Sequence, residues 1–128
     1  MHKSRLTAVL ADVPADCFDA EVAFWSGALG RDAVVDPADP DYADLGEGQA
    51  GTRFLVQRVD DAARLHVDVE TDDIEAEVAR LVGLGAVRVR RFEGWWVLRD
   101  PAGLLFCVVG VQSPEAFAAG ATSWPDLP

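Results

Sequence analysis

The 48 residues from Arg64 to Val111, RLHVDVETDDIEAEVARLVGLGAVRVRRFEGWWVLRDPAGLLFCVVGV, constrain the fold more than any other part of the chain. Arg64–Glu70 alternates: Leu65, Val67 and Val69 fall on one side, and His66, Asp68 and Glu70 on the other, as in a half-buried strand. The run Asp72-Asp73-Ile74-Glu75 places acidic groups at a helix start, where the dipole favours negative charge. Ile74, Val78 and Leu81 follow at helical spacing, and Gly85 supplies a left-handed stop. Three short strands are predicted next, at Ala86–Arg91, Trp95–Arg99 and Leu104–Val111. The last two are joined by Asp100-Pro101-Ala102-Gly103, with Asp, Pro and Gly where a type I turn prefers them. The unit reads β-α-β-β-β.

The first half gives a weaker version of the same order. Ser4–Ala11 reads as a strand, and Asp12–Asp16 as a turn holding Pro14. A helix is expected from about Phe18 to Leu29, with Phe18, Val22, Trp25 and Leu29 as its apolar stripe and Gly30 as its end. Arg31–Asp36, Tyr42–Leu45 and Thr52–Val59 are candidate strands, separated by a proline-bearing loop at Pro37–Asp41 and a hairpin at Gly46–Gly51. The low residue identity between the halves leaves the order of elements to carry the repeat. Gln112–Pro128 forms a tail with one short helix near Pro114–Ala119, held down by Phe117 and Trp124.

His66 early in a strand, the Asp72-Asp73 helix start, a helix ending Leu84-Gly85, and Asp100-Pro101-x-Gly103 before an apolar strand resemble the second half of a glyoxalase-like protein. That is the vicinal oxygen chelate superfamily, with its bleomycin-resistance proteins, extradiol dioxygenases and fosfomycin-resistance enzymes. The resemblance spans residues 5–111. It implies an α+β fold of two βαβββ modules, about 4–59 and 64–111. These would form a curved, half-open mixed sheet around a cavity, in one domain over residues 1–111 with a tail at 112–128, usually within a homodimer.

Metal-dependent members carry His and Glu ligands at four corners, early in the first strand and on the last strand of each module. Carried over to this chain, the resemblance implies His66 and Cys107 in the second module, with Thr7 and Leu55 at the corresponding places in the first. His66 is the one family-type ligand kept, so no cofactor is expected and a divalent metal is the lesser reading. The remaining face, with Leu55, Gln57, His66, Asp68, Trp95 and Cys107, suits a small organic ligand with a few polar handles.

His66 has three readings: metal ligand, hydrogen-bonder or proton shuttle to a ligand, and a buried structural histidine. Cys107 reads more as a small core residue than as a nucleophile. Trp95 and Trp96 must point to opposite faces, and Trp95 is taken as the inward one. Core packing of both is the plainer alternative. Arg88, Arg90 and Arg91 fit ion pairing better than phosphate binding, since no glycine-rich cradle adjoins them.

Bulk properties narrow the classes further. A formal net charge of −11 repels phosphate backbones, which argues against nucleic acid and leaves room for a cationic ligand. No apolar run is long enough to span a bilayer, and Met1–Arg5 lacks the apolar segment of a secretory signal. Two cysteines, Cys17 and Cys107, make no disulfide framework, so a cytoplasmic protein is expected.

The functional expectation is a metal-independent, antibiotic-sequestering binder of an aromatic or cationic molecule. The alternative is a glyoxalase, lyase or dioxygenase-like enzyme using His66. A structural module with a vestigial cavity is the third reading.

Overall fold

The computed structural model describes residues 1–48 and 51–127. Eight strands and three α-helices make a mixed α+β chain among these residues. The chain divides into two compact units, Ala8–His66 and Met1–Thr7 with Val67–Pro128. Strand β1 (His2–Pro14) contributes to both, as does β4 (Arg64–Thr71).

In the Ala8–His66 unit, β2 (Tyr42–Glu47) lies antiparallel to β3 (Arg53–Val59), which runs parallel to the second half of β1. Helix α1 (Phe18–Leu29) covers one face. Val13, Phe18, Ala43, Leu45 and Val56 form the core, with Val22, Trp25 and Phe54 against it, and the Trp25 and Phe54 rings lie 4.9 Å apart. Gly30 closes the helix at φ +67°, a left-handed backbone conformation that residues with a side chain rarely adopt. The expected stripe stops a turn early, because Leu29 is exposed.

The other unit orders its strands β4-β7-β6-β5, with β5 at Val87–Phe92, β6 at Trp95–Arg99 and β7 at Leu105–Gly110. β4 and β7 are parallel and the remaining pairs antiparallel. Helix α2 (Ile74–Gly83) packs through Val78 and Leu81 on Leu98 and Val108, with Trp96 and Phe106 against the cluster. Asp73 is its N-cap and accepts from Ala76 N at 3.0 Å. Asp100 closes the last turn by accepting from Ala102 N and Leu104 N at 3.0 and 2.8 Å.

Four local expectations change. The Arg31–Asp36 strand shrinks to a single bridge, Val34 to Asp44. Val34 and Val35 are exposed there and Pro37 follows, so the segment has no face to bury and soon loses a backbone donor. β1 does not end at Ala11: its pairing with β3 runs on to Pro14↔Val59, which puts Asp12 inside a strand rather than in a turn. Proline tolerates the strand end, where a missing N–H costs little. The tail forms the predicted helix, α3 (Pro114–Gly120), and adds β8 (Thr122–Trp124), antiparallel to His2–Ser4. Leu65, which alternation puts on one side with Val67 and Val69, is exposed, whereas Val69 sits level with Val108 on the helix side. The hairpin expected at Gly46–Gly51 includes Gln49 and Ala50, which lie outside the described residues.

Candidate functional site

Each unit has one sheet face covered by its helix and one that the helix leaves uncovered, and register assigns residues to the second. In the Ala8–His66 unit three rows cross this face: Ala8–Arg53–Glu47, Leu10–Leu55–Asp44 and Asp12–Gln57–Tyr42. Arg53 pairs with Asp44 at 2.8 Å, and Gln57 Nε2 donates to the Tyr42 hydroxyl at 2.9 Å. Leu55 and Gln57 therefore share a face, as the alternation in β3 requires. His66, the last residue of this unit, places Nδ1 2.6 Å from Asp12 Oδ2, and Arg64 Nε donates to the same oxygen at 3.3 Å. Asp12 is 1% exposed and the His66 side chain 9%. Asp12 was missed by the sequence reading because Asp-Val-Pro resembles a turn, and its partners lie more than 50 positions away.

In the other unit the uncovered face carries Asp68–Cys107–Val97–Arg90 and Glu70–Val109–Trp95–Phe92. Trp96 belongs to the α2 core, and its Nε1 donates to Glu75 at 3.2 Å. Trp95 lies on the opposite face, its ring stacked on Phe92 at 4.0 Å and 4°. Arg90 sits over Phe92 at 4.5 Å. Of the other two arginines in the cluster, Arg91 pairs with Glu75 at 3.6 Å and Arg88 stands over Trp96 at 5.9 Å. His66 and Asp68, two residues apart on β4, alternate to one face, and Asp68 is the register partner of Cys107.

Charged pairs lie deep in the same unit. Glu70 accepts from Arg5 Nε at 2.6 Å and from the backbone N–H groups of Gln112 and Ser113 at 2.7 and 3.0 Å. Glu77 binds His2, Ser4 and Arg80. Burial pushes the Glu77 carboxyl up, but the hydrogen bonds from Arg80, His2 and Ser4 outweigh it and hold the group below its usual value of 4.5. Asp16 beside Cys17 pushes that exposed thiol up, away from nucleophile chemistry.

A model of the glyoxalase-like domain family matches residues 8–109. The chain belongs to this family. It is accordingly a member of the vicinal oxygen chelate superfamily. Solved structures of similar fold include hypothetical protein BH1468 from Bacillus halodurans C-125, at TM-score 0.62 and 10% identity, covering 86% of this chain and 96% of that one. Methylmalonyl-CoA epimerase from Mycobacterium tuberculosis aligns at TM-score 0.58 and 19% identity, covering 90% and 91%. A Legionella pneumophila structure described as NAD-dependent benzaldehyde dehydrogenase aligns at 0.59 and 12%, covering 82% and 98%. At such identities the likeness concerns the fold alone. No functionally curated protein matches the sequence significantly.

The glyoxalase-like fold allows its four corners to be located by register. The fully buried core valines Val56 and Val108 anchor the two halves at an offset of 108 − 56 = 52. Cys107 then corresponds to Leu55, and their register partners Asp68 and Leu10 to each other. Two residues before these stand His66 and Ala8, so the counterpart of His66 is Ala8 rather than Thr7. Ala8 and Leu55 offer no donor atom. The residues present therefore do not fit the family's four-ligand divalent site.

Proposed function

We propose that this glyoxalase-like protein binds a small organic molecule without a resident metal, in the sequestering manner of bleomycin-resistance proteins. One observation carries the reading: two of the four corners, Ala8 and Leu55, are apolar side chains without a donor atom. The stacked Trp95–Phe92 pair supports a planar, aromatic ligand, and the net charge of −11 supports a cationic one. Leu55, Gln57, His66, Asp68, Trp95 and Cys107 are the proposed ligand-facing residues. A methylmalonyl-CoA epimerase of similar fold is described in complex with methylmalonyl-CoA, which supports a small organic ligand here. We place the protein in the cytoplasm as a homodimer; no described helix is long and apolar enough to cross a membrane.

The test is a tryptophan-fluorescence titration with aromatic and cationic molecules, metal-free bleomycin among them. We expect saturable quenching, and Trp95→Ala should weaken binding about 10-fold, the effect of losing an aromatic anchor. Silence across the whole set would sink the reading.

Metal content gives an independent check. Untagged purified protein should carry far less than one metal per chain, and its melting temperature should not fall with chelator. Stoichiometric zinc with a chelator-lowered melt would overturn the metal-free reading.

His66 held by a buried carboxylate favours a second reading, a glyoxalase- or lyase-type enzyme with His66 as its acid–base group. Loss of turnover in a folded His66→Ala variant would support it, and unchanged turnover would remove that role.

A further inference from the structure

Asp12 is an expensive residue to place where it stands. It is 1% exposed, its Oδ2 is shared by His66 and Arg64, and its Oδ1 is buried with no hydrogen-bond partner among the described residues. An ionised carboxylate taken out of water loses solvation that only full pairing replaces. A leucine at this point of β1 would avoid that cost while filling the same strand position. The carboxylate instead meets His66 Nδ1 at 2.6 Å, with Arg64 Nε at 3.3 Å on the same oxygen.

That contact has a chemical consequence. A carboxylate only accepts, so the proton between Asp12 and His66 must sit on Nδ1. The charge-assisted bond fixes the ring orientation as well as the tautomer. In the neutral ring, Nε2 is then the acceptor nitrogen, whatever group it meets. Beside the pair, Gln57 is the register partner of Asp12, and its Nε2 donates to the Tyr42 hydroxyl.

We propose that Asp12 is the positioning residue for His66: it holds the proton on Nδ1 and presents Nε2 as the acceptor for a ligand carrying an O–H, an N–H or an acidic C–H. The inference rests on His66 facing the ligand in the reading above and names the ligand chemistry that reading leaves open. The ligand's proton moves to, or is shared with, Nε2. The Nδ1 proton stays between His66 and Asp12, and the carboxylate is not protonated in the process.

The experiment needs no ligand. The chain holds two histidines, His2 and His66, so long-range proton–nitrogen spectra of histidine-labelled full-length protein contain two ring systems, assigned with His66→Gln. At about pH 8, where an unconstrained imidazole is neutral and able to carry its proton on either nitrogen, His66 should carry it on Nδ1. In Asp12→Asn the proton should shift to Nε2, because the amide can donate to Nδ1. A merely structural role for Asp12 would leave that signature unmoved. An Nε2–H tautomer in the wild type overturns the proposal without any variant, which keeps it open to refutation even if Asp12→Asn does not fold. A folded Asp12→Asn protein that keeps Nδ1–H also overturns it. If tryptophan quenching fails while both tautomer results appear, the binding reading falls and the hold of Asp12 on His66 stands.

Discussion

Replacing Glu70 with alanine should lower the unfolding free energy by about 3–5 kcal/mol, the usual cost of breaking a buried ion pair from one side. Glu70 is fully buried, and the Arg5 side chain it pairs with is 8% exposed. One carboxylate oxygen accepts from Arg5, and the other accepts from Gln112 N and Ser113 N, so β4, the start of β1 and the entry to α3 meet on one group. Alanine strips all three donors at once and leaves the Arg5 guanidinium without its carboxylate. The double variant Arg5→Met, Glu70→Leu should be markedly less damaged than Glu70→Ala, since no buried charge then lacks its partner. What keeps it below wild type is the pair of orphaned backbone N–H groups at Gln112 and Ser113. Urea unfolding midpoints, read with their slopes, measure both differences. A loss in Glu70→Ala of less than about 1 kcal/mol would mean the pair is not buried as described.

Glu77→Gln should cost about 2–3 kcal/mol near neutral pH, and the gap to wild type should close on acidification. Glu77 is fully buried and accepts from Arg80 at 2.7 and 3.0 Å, from Ser4 at 2.9 Å, and meets His2 Nε2 at 2.6 Å. Its folded-state carboxyl titrates below the usual 4.5 because these bonds outweigh burial. A depressed carboxylate contributes stability that is fully present above pH 4.5 and is lost as pH falls through the lower folded value. The glutamine variant lacks this proton linkage, so its stability should change less over that window. The same cluster ties down β8: Trp124 Nε1 donates to Ser4 Oγ, and Arg80 lies 3.8 Å over the Trp124 ring. Thermal melts followed at the tryptophan band, from pH 7 down to about pH 3, test this directly. Parallel pH curves for the two proteins would refute the assignment.

How much of this was legible beforehand depends on the range of the forces involved. The Asp73 cap, the Gly85 stop and the Asp100 turn are settled within a few residues, so the second half of the chain could be read element by element. Alternation also forced Trp95 and Trp96 onto opposite faces. Which of them meets α2 required the register Trp96↔Val108, because the β5–β6 pairing is interrupted between Arg88 and Arg90. The Arg31–Asp36 stretch failed as a strand for the complementary reason: it has strand-like valines but nothing to bury them against.

The sequence by itself determined the α+β class, the β-α-β-β-β order of the second half, and the glyoxalase-like scaffold. Those features rest on local periodicity and turn chemistry, which each short segment carries within itself. Tertiary structure alone decided that Asp12 lies in a strand against His66, that Ala8 rather than Thr7 is the counterpart of His66, and that Glu70 and Glu77 are buried with Arg5 and with His2 and Arg80. A carboxylate reads the same in sequence whether it is solvated or buried, and its fate is set by donors brought in from 54 or 75 positions away.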